Sequence, residues 1–344
     1  MAGEQAHGLR PAVTVLMSVY NGIRYLAEST QSILSQSFSD FEFLIVDDGS
    51  TDGSAELIEQ FAKSDKRIVL LRNETNLGLT RSLNIGLKHA RGKYLARQDA
   101  DDISLPERLE LQNKYLEQNP EVGIVGTAYY IINEDGKTIG ERTPTLDSQL
   151  LKSELIIKNH ALNHTSVMAR TVLLKKLDGY DESLRYAQDY DLWWRLTGIS
   201  NLGNIGNKLI KWRASKSQIS VRERAGQLDC MFNISMRIVA SLHSGNTIPV
   251  EHYRKFWMAS NGSKLNELLP EDLDRLTPVW KILYGGSGYP PATVKSIEET
   301  VYRLYRARNY KTARKLSSIL LNFFDLNPRF KSVLSSILKS FIPA

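Results

Sequence analysis

Tyr94-Leu95-Ala96-Arg97-Gln98-Asp99-Ala100-Asp101-Asp102 runs from a short apolar segment straight into three carboxylates within four positions. Anions this close cannot be desolvated without partners, because each costs several kcal/mol to take out of water. A divalent cation is the simplest partner, since hard oxygen ligands suit Mg²⁺ or Mn²⁺. The run also falls where a strand ends, and open α/β sheets bind ligands outside the carboxyl ends of their strands. Taken alone, the same residues fit a solvated acidic turn capping the next helix, with Pro106 near its first turn. The neighbouring segments decide between the two readings.

Upstream, three strand-then-helix cycles precede the run. Residues 13–17 are a β-branched apolar strand, followed by a helix over 25–36 with Leu26, Ile33 and Leu34 on one side. The second cycle is a strand at 41–46 and a helix at 55–63 that turns Leu57, Ile58 and Phe61 inward. The third is a strand at 68–71 and a helix over 79–90, with Leu79, Leu83, Gly86, Leu87 and Ala90 at helical spacing. Residues 94–96 form the fourth strand. Near-continuous apolar strands alternating with amphipathic helices predict a parallel sheet covered on both faces.

Downstream the pattern loosens. Strands are expected at 122–127, 129–132, 167–169 and 208–212, with a hairpin-type turn at Asn133-Glu134-Asp135-Gly136. Helices are expected at 171–177 and 189–196, the latter carrying Trp193 and Trp194. From about 225 the chain reads as helical, broken by loops at 244–246 and 285–291.

Composition narrows the class. Of the 344 residues, 42% are hydrophobic and 24% charged, the balance of an ordinary globular protein. Residues 1–11 are polar and read as a flexible leader without a secretory signal, and no apolar run approaches the ~20 residues of a membrane span. The single cysteine, Cys230, excludes an internal disulfide and fits a reducing compartment, so a cytoplasmic location is expected. The net charge of +6 is concentrated in residues 301–344, which carry nine Lys/Arg against one acid. The remaining residues are slightly acidic, which argues against nucleic-acid binding by the main body.

A second strand tip carries chemistry of its own. Val46-Asp47-Asp48-Gly49-Ser50-Thr51-Asp52-Gly53-Ser54 ends the second strand in two acids and turns into a helix. Asp52 or Thr51 can cap that helix, and Gly49 permits a tight turn. Asp48 is placed to accept hydrogen bonds from ligand N–H groups, and the first tip, 17–22, lies beside it with the Tyr20 ring available to a planar base. Three strand tips then point at one crevice.

These residues carry a family resemblance. VTVLMSVYNG (13–22), SQSFSDFEFLIVDDGSTDGS (35–54), NLGLTRSLNIGLKHARGKYLARQDADD (76–102), LPERLELQ (105–112) and GYDESLRYAQDYDLWWRL (179–196) together resemble a family-2 glycosyltransferase of the bacterial polysaccharide or glycolipid type. The resemblance spans residues 12–220 and implies an α/β GT-A fold: a Rossmann-like, mostly parallel central sheet with helices on both faces, followed by a helical C-terminal region. The corresponding domains are 12–222 and 223–344.

The resemblance implies a nucleoside-diphosphate sugar donor, usually UDP-linked, whose base meets Ser18, Tyr20 and Asp48. Asp99 and Asp101 match the DxD motif, Asp101 as direct ligand of Mn²⁺ or Mg²⁺ and Asp99 nearer the ribose and the metal. A carboxylate-held cation would offset the charge gathering on the diphosphate leaving group. Arg81 is a candidate auxiliary cation. Asp189 matches the catalytic base, which in an inverting transfer takes the proton of the acceptor hydroxyl as that oxygen attacks the anomeric carbon. His164, Trp193 and Asp191 are acceptor-side candidates, although Asp191 also suits a helix cap and Trp193 a core position. Two positions depart from the family pattern. Gln188 stands where Glu is frequent. Ser215 replaces the His of an Arg-x-His segment, which puts a third protein ligand in doubt and opens phosphate contact to Arg213 or Lys216.

The acceptor implied is a carbohydrate or a lipid-linked sugar in cell-surface glycan assembly. Val333, Leu334, Ile337, Leu338, Phe341 and Ile342 share one helical face, and Leu316, Ile319, Leu320, Phe323 and Phe324 form a similar stripe. With the basic residues around them, these helices suit either an anionic inner-membrane surface or a packed C-terminal domain. Two other functions share the residue pattern: a non-catalytic nucleotide-sugar-binding protein, and a nucleotidyltransferase. The latter is disfavoured by the lack of a Gly-rich, Lys/Arg-bearing phosphate loop after the first strand.

Overall fold

The computed structural model describes residues 10–157, 161–215, 223–242, 249–261, 267–276 and 309–323, with 159, 263, 300, 301, 303 and 304 between them. Its chain divides into two compact units, one of residues 1–148 and 162–223, the other of 149–161 and 224–344.

The first unit is built on a nine-stranded sheet ordered β3-β2-β1-β4-β8-β6-β9-β5, with β7 against β6. Its strands are β1 (Val13–Val19), β2 (Phe41–Asp47), β3 (Ile68–Arg72), β4 (Tyr94–Asp99), β5 (Ile103–Ser104), β6 (Val122–Ile132), β7 (Thr138–Arg142), β8 (Met168–Arg170) and β9 (Asn201–Arg213). β3, β2, β1 and β4 run parallel, as expected for crossovers through helices. β8 then pairs antiparallel with both β4 and β6, so the sheet becomes mixed beyond the parallel part.

β1, β2 and most of β4 are buried on both faces, which is why they read as continuous apolar runs, whereas the edge strand β3 is only partly covered. The helices between them are α1 (Ile23–Leu34), α2 (Ser54–Ser64) and α3 (Leu79–His89). α1 buries Leu26, Ser29, Thr30 and Ile33, and α3 buries Thr80, Leu83, Asn84 and Leu87. Both sets follow i, i+3, i+4, i+7, one face of a 3.6-residue period. The core joins Val15, Met17, Phe43, Ile45, Tyr94 and Ala96 of the strands to Leu26, Ile33, Ile58 and Leu109 of the helices.

Four further helices follow in the chain: α4 (Arg108–Gln118), α5 (Ser148–Ile157), α6 (Thr171–Lys176) and α7 (Gln188–Leu196). β6 is continuous where two strands were expected, and β9 begins seven residues before the expected 208. The early half of β9 holds Gly203, Asn204, Gly206 and Asn207, which dilute its apolar pattern. Gly203 is required by packing: a Cβ there would lie 2.7 Å from the Tyr115 hydroxyl.

The second unit contains most of α5 with α8 (Arg224–Ser241), α9 (Val250–Ser260), α10 (Pro270–Arg275) and α11 (Tyr310–Phe323). Within it the Ser235 hydroxyl donates to the Ile156 carbonyl at 2.6 Å, and Asn261 Nδ2 donates to the Ile157 carbonyl at 3.2 Å. Segment 149–161, expected in the first domain, therefore packs with the C-terminal helices. In α11 Ala313 and Leu316 are wholly buried and Ile319 nearly so, which places Leu316 and Ile319 of the expected stripe in the unit's core. Residues 324–344, which include the second expected stripe, lie outside the described residues, as do Lys216 and the loops at 244–246 and 285–291. Among the described residues no helix is long and apolar enough to cross a membrane.

Candidate active site

The strand register sets three tips at one level. Ser18 pairs with Val46 of β2 and with Asp99 of β4, so the first base-side candidate lies beside the acidic run. Tyr20 follows at the open end and is 53% exposed, leaving its ring free for contact. Asn21 adopts a left-handed φ of 49° and ties the two neighbouring loops together. Its amide donates to the Ser50 hydroxyl at 3.0 Å, and its side-chain carbonyl accepts from the Thr51 amide at 2.8 Å.

Asp48 is buried, and its acceptors are largely taken by the protein. Oδ1 accepts from Asn73 Nδ2 at 2.7 Å and from the Leu77 amide at 2.8 Å, and Oδ2 accepts from the Gly78 amide at 2.9 Å. A carboxylate offers about four acceptor directions, of which these bonds take three. The loop that supplies these donors comes so close that a Cβ on Gly49, at φ +73°, would meet the Thr75 carbonyl carbon at 2.8 Å. Arg81, one turn into α3, is more than half exposed and lies 3.6 Å from Glu182.

The acidic run is offset by buried arginines, which the sequence reading did not assign. Arg97 is wholly buried and its Nη2 donates to Asp99 Oδ1 at 2.6 Å. Arg108, equally buried, donates to the Gln98 side-chain carbonyl, the Ser104 hydroxyl, Gln112 Oε1 and the Arg97 carbonyl. Burial lowers its pKa to about 9, an effect opposed by the Asp102 charge. Asp102 is buried, accepts from the Arg213 amide at 2.7 Å, and has its Oδ2 without a hydrogen-bond partner. Burial, with Asp101 and Asp99 nearby, raises its pKa well above the ordinary carboxylate value.

Asp101, like Asp102, makes no ion pair among the described residues. Desolvation first, and repulsion from Asp99 second, push its pKa up to about 6. No group of three His, Cys, Asp or Glu side chains poised around a cation occurs among the described residues. Asp99 and Asp101 nevertheless fit a hard cation, because no ion pair occupies the Asp101 carboxylate among the described residues and a diphosphate supplies further oxygens.

Arg213 corrects one expectation. It is buried, and its Nε donates to the Asp101 carbonyl, its Nη1 to the Asn133 and Glu134 carbonyls, and its Nη2 to Glu28. Its guanidinium also covers the Tyr25 ring at 4.2 Å. With every nitrogen engaged it buttresses the loop of Asp101 and is not available to phosphate. Ser215 is buried two residues further on.

The acceptor-side candidates gather around α7. Ala187, at φ 55°, turns the chain sharply into that helix, a left-handed conformation rare for a residue with a Cβ. Asp189 then lies in the first turn, where the helix dipole favours a carboxylate, and its Oδ1 accepts from the Tyr190 amide at 2.9 Å. Asp191 pairs with Arg195 at 2.7 Å, and Arg195 in turn donates to the Leu177 and Gly179 carbonyls. That chain of contacts braces the loop before Tyr180. Trp193 is 1% exposed and meets His164 edge-on, so it forms the wall behind the site and offers no face to a sugar.

His164 Nε2 lies 2.9 Å from the Tyr180 hydroxyl. Burial, then the Arg97 charge, lower the His164 pKa, while Asp189 and Asp99 oppose them. Burial likewise raises the Tyr180 phenol. The charges of Asp189, Arg97 and Asp99 all act on both rings. Their shared field links the expected base to the acidic run.

The family model for Glycosyl transferase family 2 matches residues 14–177. An uncharacterized glycosyltransferase of Methanocaldococcus jannaschii is 42% identical over 188 residues, covering 54% of this chain and 64% of its own. Another, from Haemophilus influenzae, is 35% identical over 218 residues, covering 61% of this chain and 68% of its own. The matches therefore span about two thirds of these relatives' own lengths. Among solved structures, S. aureus TarS 1-349 in complex with UDP-GlcNAc superposes with a TM-score of 0.55 at 16% identity, over 91% of this chain and 93% of that one. The mannosyltransferase PcManGT from Pyrobaculum calidifontis, in complex with GDP-Man and Mn²⁺, gives 0.52 at 18% identity, over 89% and 85%. These likenesses place the fold among GT-A glycosyltransferases. The chain belongs to glycosyltransferase family 2.

Proposed function

We propose that the protein transfers a sugar from a nucleoside-diphosphate donor, most simply a UDP-sugar, to a hydroxyl of a carbohydrate or lipid-linked acceptor, with inversion at the anomeric carbon. The observation that carries this reading is the joint placement of Asp99, Asp101 and Asp189 within one unit, with His164 and Tyr180 subject to both ends of the set.

In this reading Ser18, Tyr20 and the remaining acceptor direction of Asp48 receive the base, and Asp99 and Asp101 hold a Mn²⁺ or Mg²⁺ ion. When bound, that ion would offset negative charge on the diphosphate. Asp189 takes the acceptor's proton as the acceptor oxygen forms its bond to the anomeric carbon. The bond from that carbon to the diphosphate oxygen breaks, and the electron pair leaves with the nucleoside diphosphate. Asp191 holds Arg195 and braces the loop before Tyr180, and Trp193 backs His164. The single cysteine and the donor chemistry favour the cytoplasm, with a membrane-bound acceptor reached peripherally.

The TarS complex holds UDP-GlcNAc and the mannosyltransferase complex GDP-Man and Mn²⁺, so the identity of the base is tested directly. A thermal-shift panel of UDP, GDP, CDP and ADP, each with and without Mn²⁺, is expected to show a Mn²⁺-dependent rise for one nucleotide. Asp189→Asn should keep that rise and lose transfer. No rise with any nucleotide, or transfer by Asp189→Asn at the wild-type rate, would refute the assignment.

A further inference from the structure

Arg97 is a guanidinium with no access to solvent, and its ion-pair partner among the described residues is Asp99. Its Nη1 donates to the carbonyls of Leu16 and Gln98, which tie it to the middle of β1 and the end of β4. Its Nε is buried without an acceptor. Such an arrangement is costly unless the charge is used, since burying an ion in low dielectric loses several kcal/mol of hydration. Asp99 is one third exposed, so one end of the pair opens to the site while the other is sealed.

Charge counting shows the consequence. Arg108 is set against Asp102, and Arg213 against Glu28. Arg97 cancels Asp99. Within the acidic run, Asp101 is then the carboxylate whose charge no arginine takes up directly, with Asp48 and Asp189 on other elements. A bare dication gains little from one carboxylate, whereas a diphosphate arriving with its cation is opposed by one unpaired anion and not by two.

We propose that Arg97 is a positioning residue that sets the charge of the donor site, so that cation and diphosphate are taken up together and neither is held well alone. This rests on the donor reading given above. Arg97 touches neither ligand; it acts through Asp99, whose carboxylate it fixes and neutralises.

The test uses the full chain with Arg97→Met, which removes the charge, and Arg97→Lys, which keeps it. Two affinities are measured: Mn²⁺ without nucleotide, by electron paramagnetic resonance, and UDP or GDP in EDTA, by calorimetry. Arg97→Met is expected to bind bare Mn²⁺ about tenfold more tightly and the metal-free nucleotide about tenfold more weakly, the order expected for one unit charge at partly buried distances. Arg97→Lys should stay near wild type in both. A purely structural role would weaken both affinities together in Arg97→Met, and that result, or no change in either, overturns the proposal. If Arg97→Met shows no cooperative melt, Asp99→Asn tests the claim from the opposite side. It leaves Arg97 uncompensated and should tighten metal-free nucleotide; unchanged or weaker binding overturns the proposal. A wild-type chain that binds no nucleoside diphosphate refutes the donor reading. The Mn²⁺ titration of Arg97→Met then decides alone, tighter binding supporting the role of Arg97 and unchanged or weaker binding overturning it.

Discussion

Asp101 carries the strain of the site at the scale of single residues. Its pKa of about 6, raised by desolvation and by Asp99, means the folded chain holds a proton there that the unfolded chain has released at the same pH. Stability from this group is therefore greatest below the unfolded value of 3.8 and is lost as pH rises through about 6. Asp101→Asn should flatten that part of the profile, giving a smaller fall in Tm between pH 4 and pH 7 than wild type, measured by calorimetry in the absence of divalent ions. Identical slopes in the two proteins would show that Asp101 ionises normally. The acids themselves were plain in the sequence, as was their need for partners. What could not be read was that Arg97 pairs with Asp99 and that Arg108 and Arg213 are buried beside the run, because an arginine in a one-dimensional string does not declare its burial. Arg97 and Arg108 do flank the acidic run, at two positions before it and six after, and that proximity was the one available signal.

At the scale of elements the alternation of strand and helix in the first hundred residues was legible almost to the residue, because both periods are expressed by apolar side chains. Strand β4 proved longer than its apolar part: Arg97, Gln98 and Asp99 belong to it, their side chains engaged in ion pairs and hydrogen bonds. Polar strand ends of this kind have no period to detect. The loop that encloses Asp48 depends on Gly49, whose φ of +73° and missing Cβ let the chain at Thr75 approach. Gly49→Ala combines a left-handed backbone cost of about 1–2 kcal/mol with a backbone collision. It should lower Tm and weaken nucleotide binding at least severalfold by displacing the Leu77 and Gly78 amides from Asp48. A variant with wild-type nucleotide affinity would show that this loop does not shape the base site.

For the whole molecule, the division into units crosses the sequence boundary. Segment 149–161 sits between strands of the first unit in the chain yet packs among the helices of the second, burying Leu151, Leu155 and Ile157 there. A fragment ending at residue 223 would expose those side chains. It should bind the dye ANS more strongly than the full chain, and Leu151→Ser with Leu155→Ser in the fragment should remove most of the excess. Equal dye binding by fragment and full chain would mean the segment folds independently of the C-terminal helices. The sequence alone determined the parallel sheet and the acids at the ends of its strands, because hydrophobic period and strand-end position are local properties. Only the tertiary structure decided which charges neutralise those acids, that Trp193 and Arg213 serve as walls and braces, and where segment 149–161 belongs. Those outcomes depend on burial and on contacts between distant residues, which no local pattern encodes.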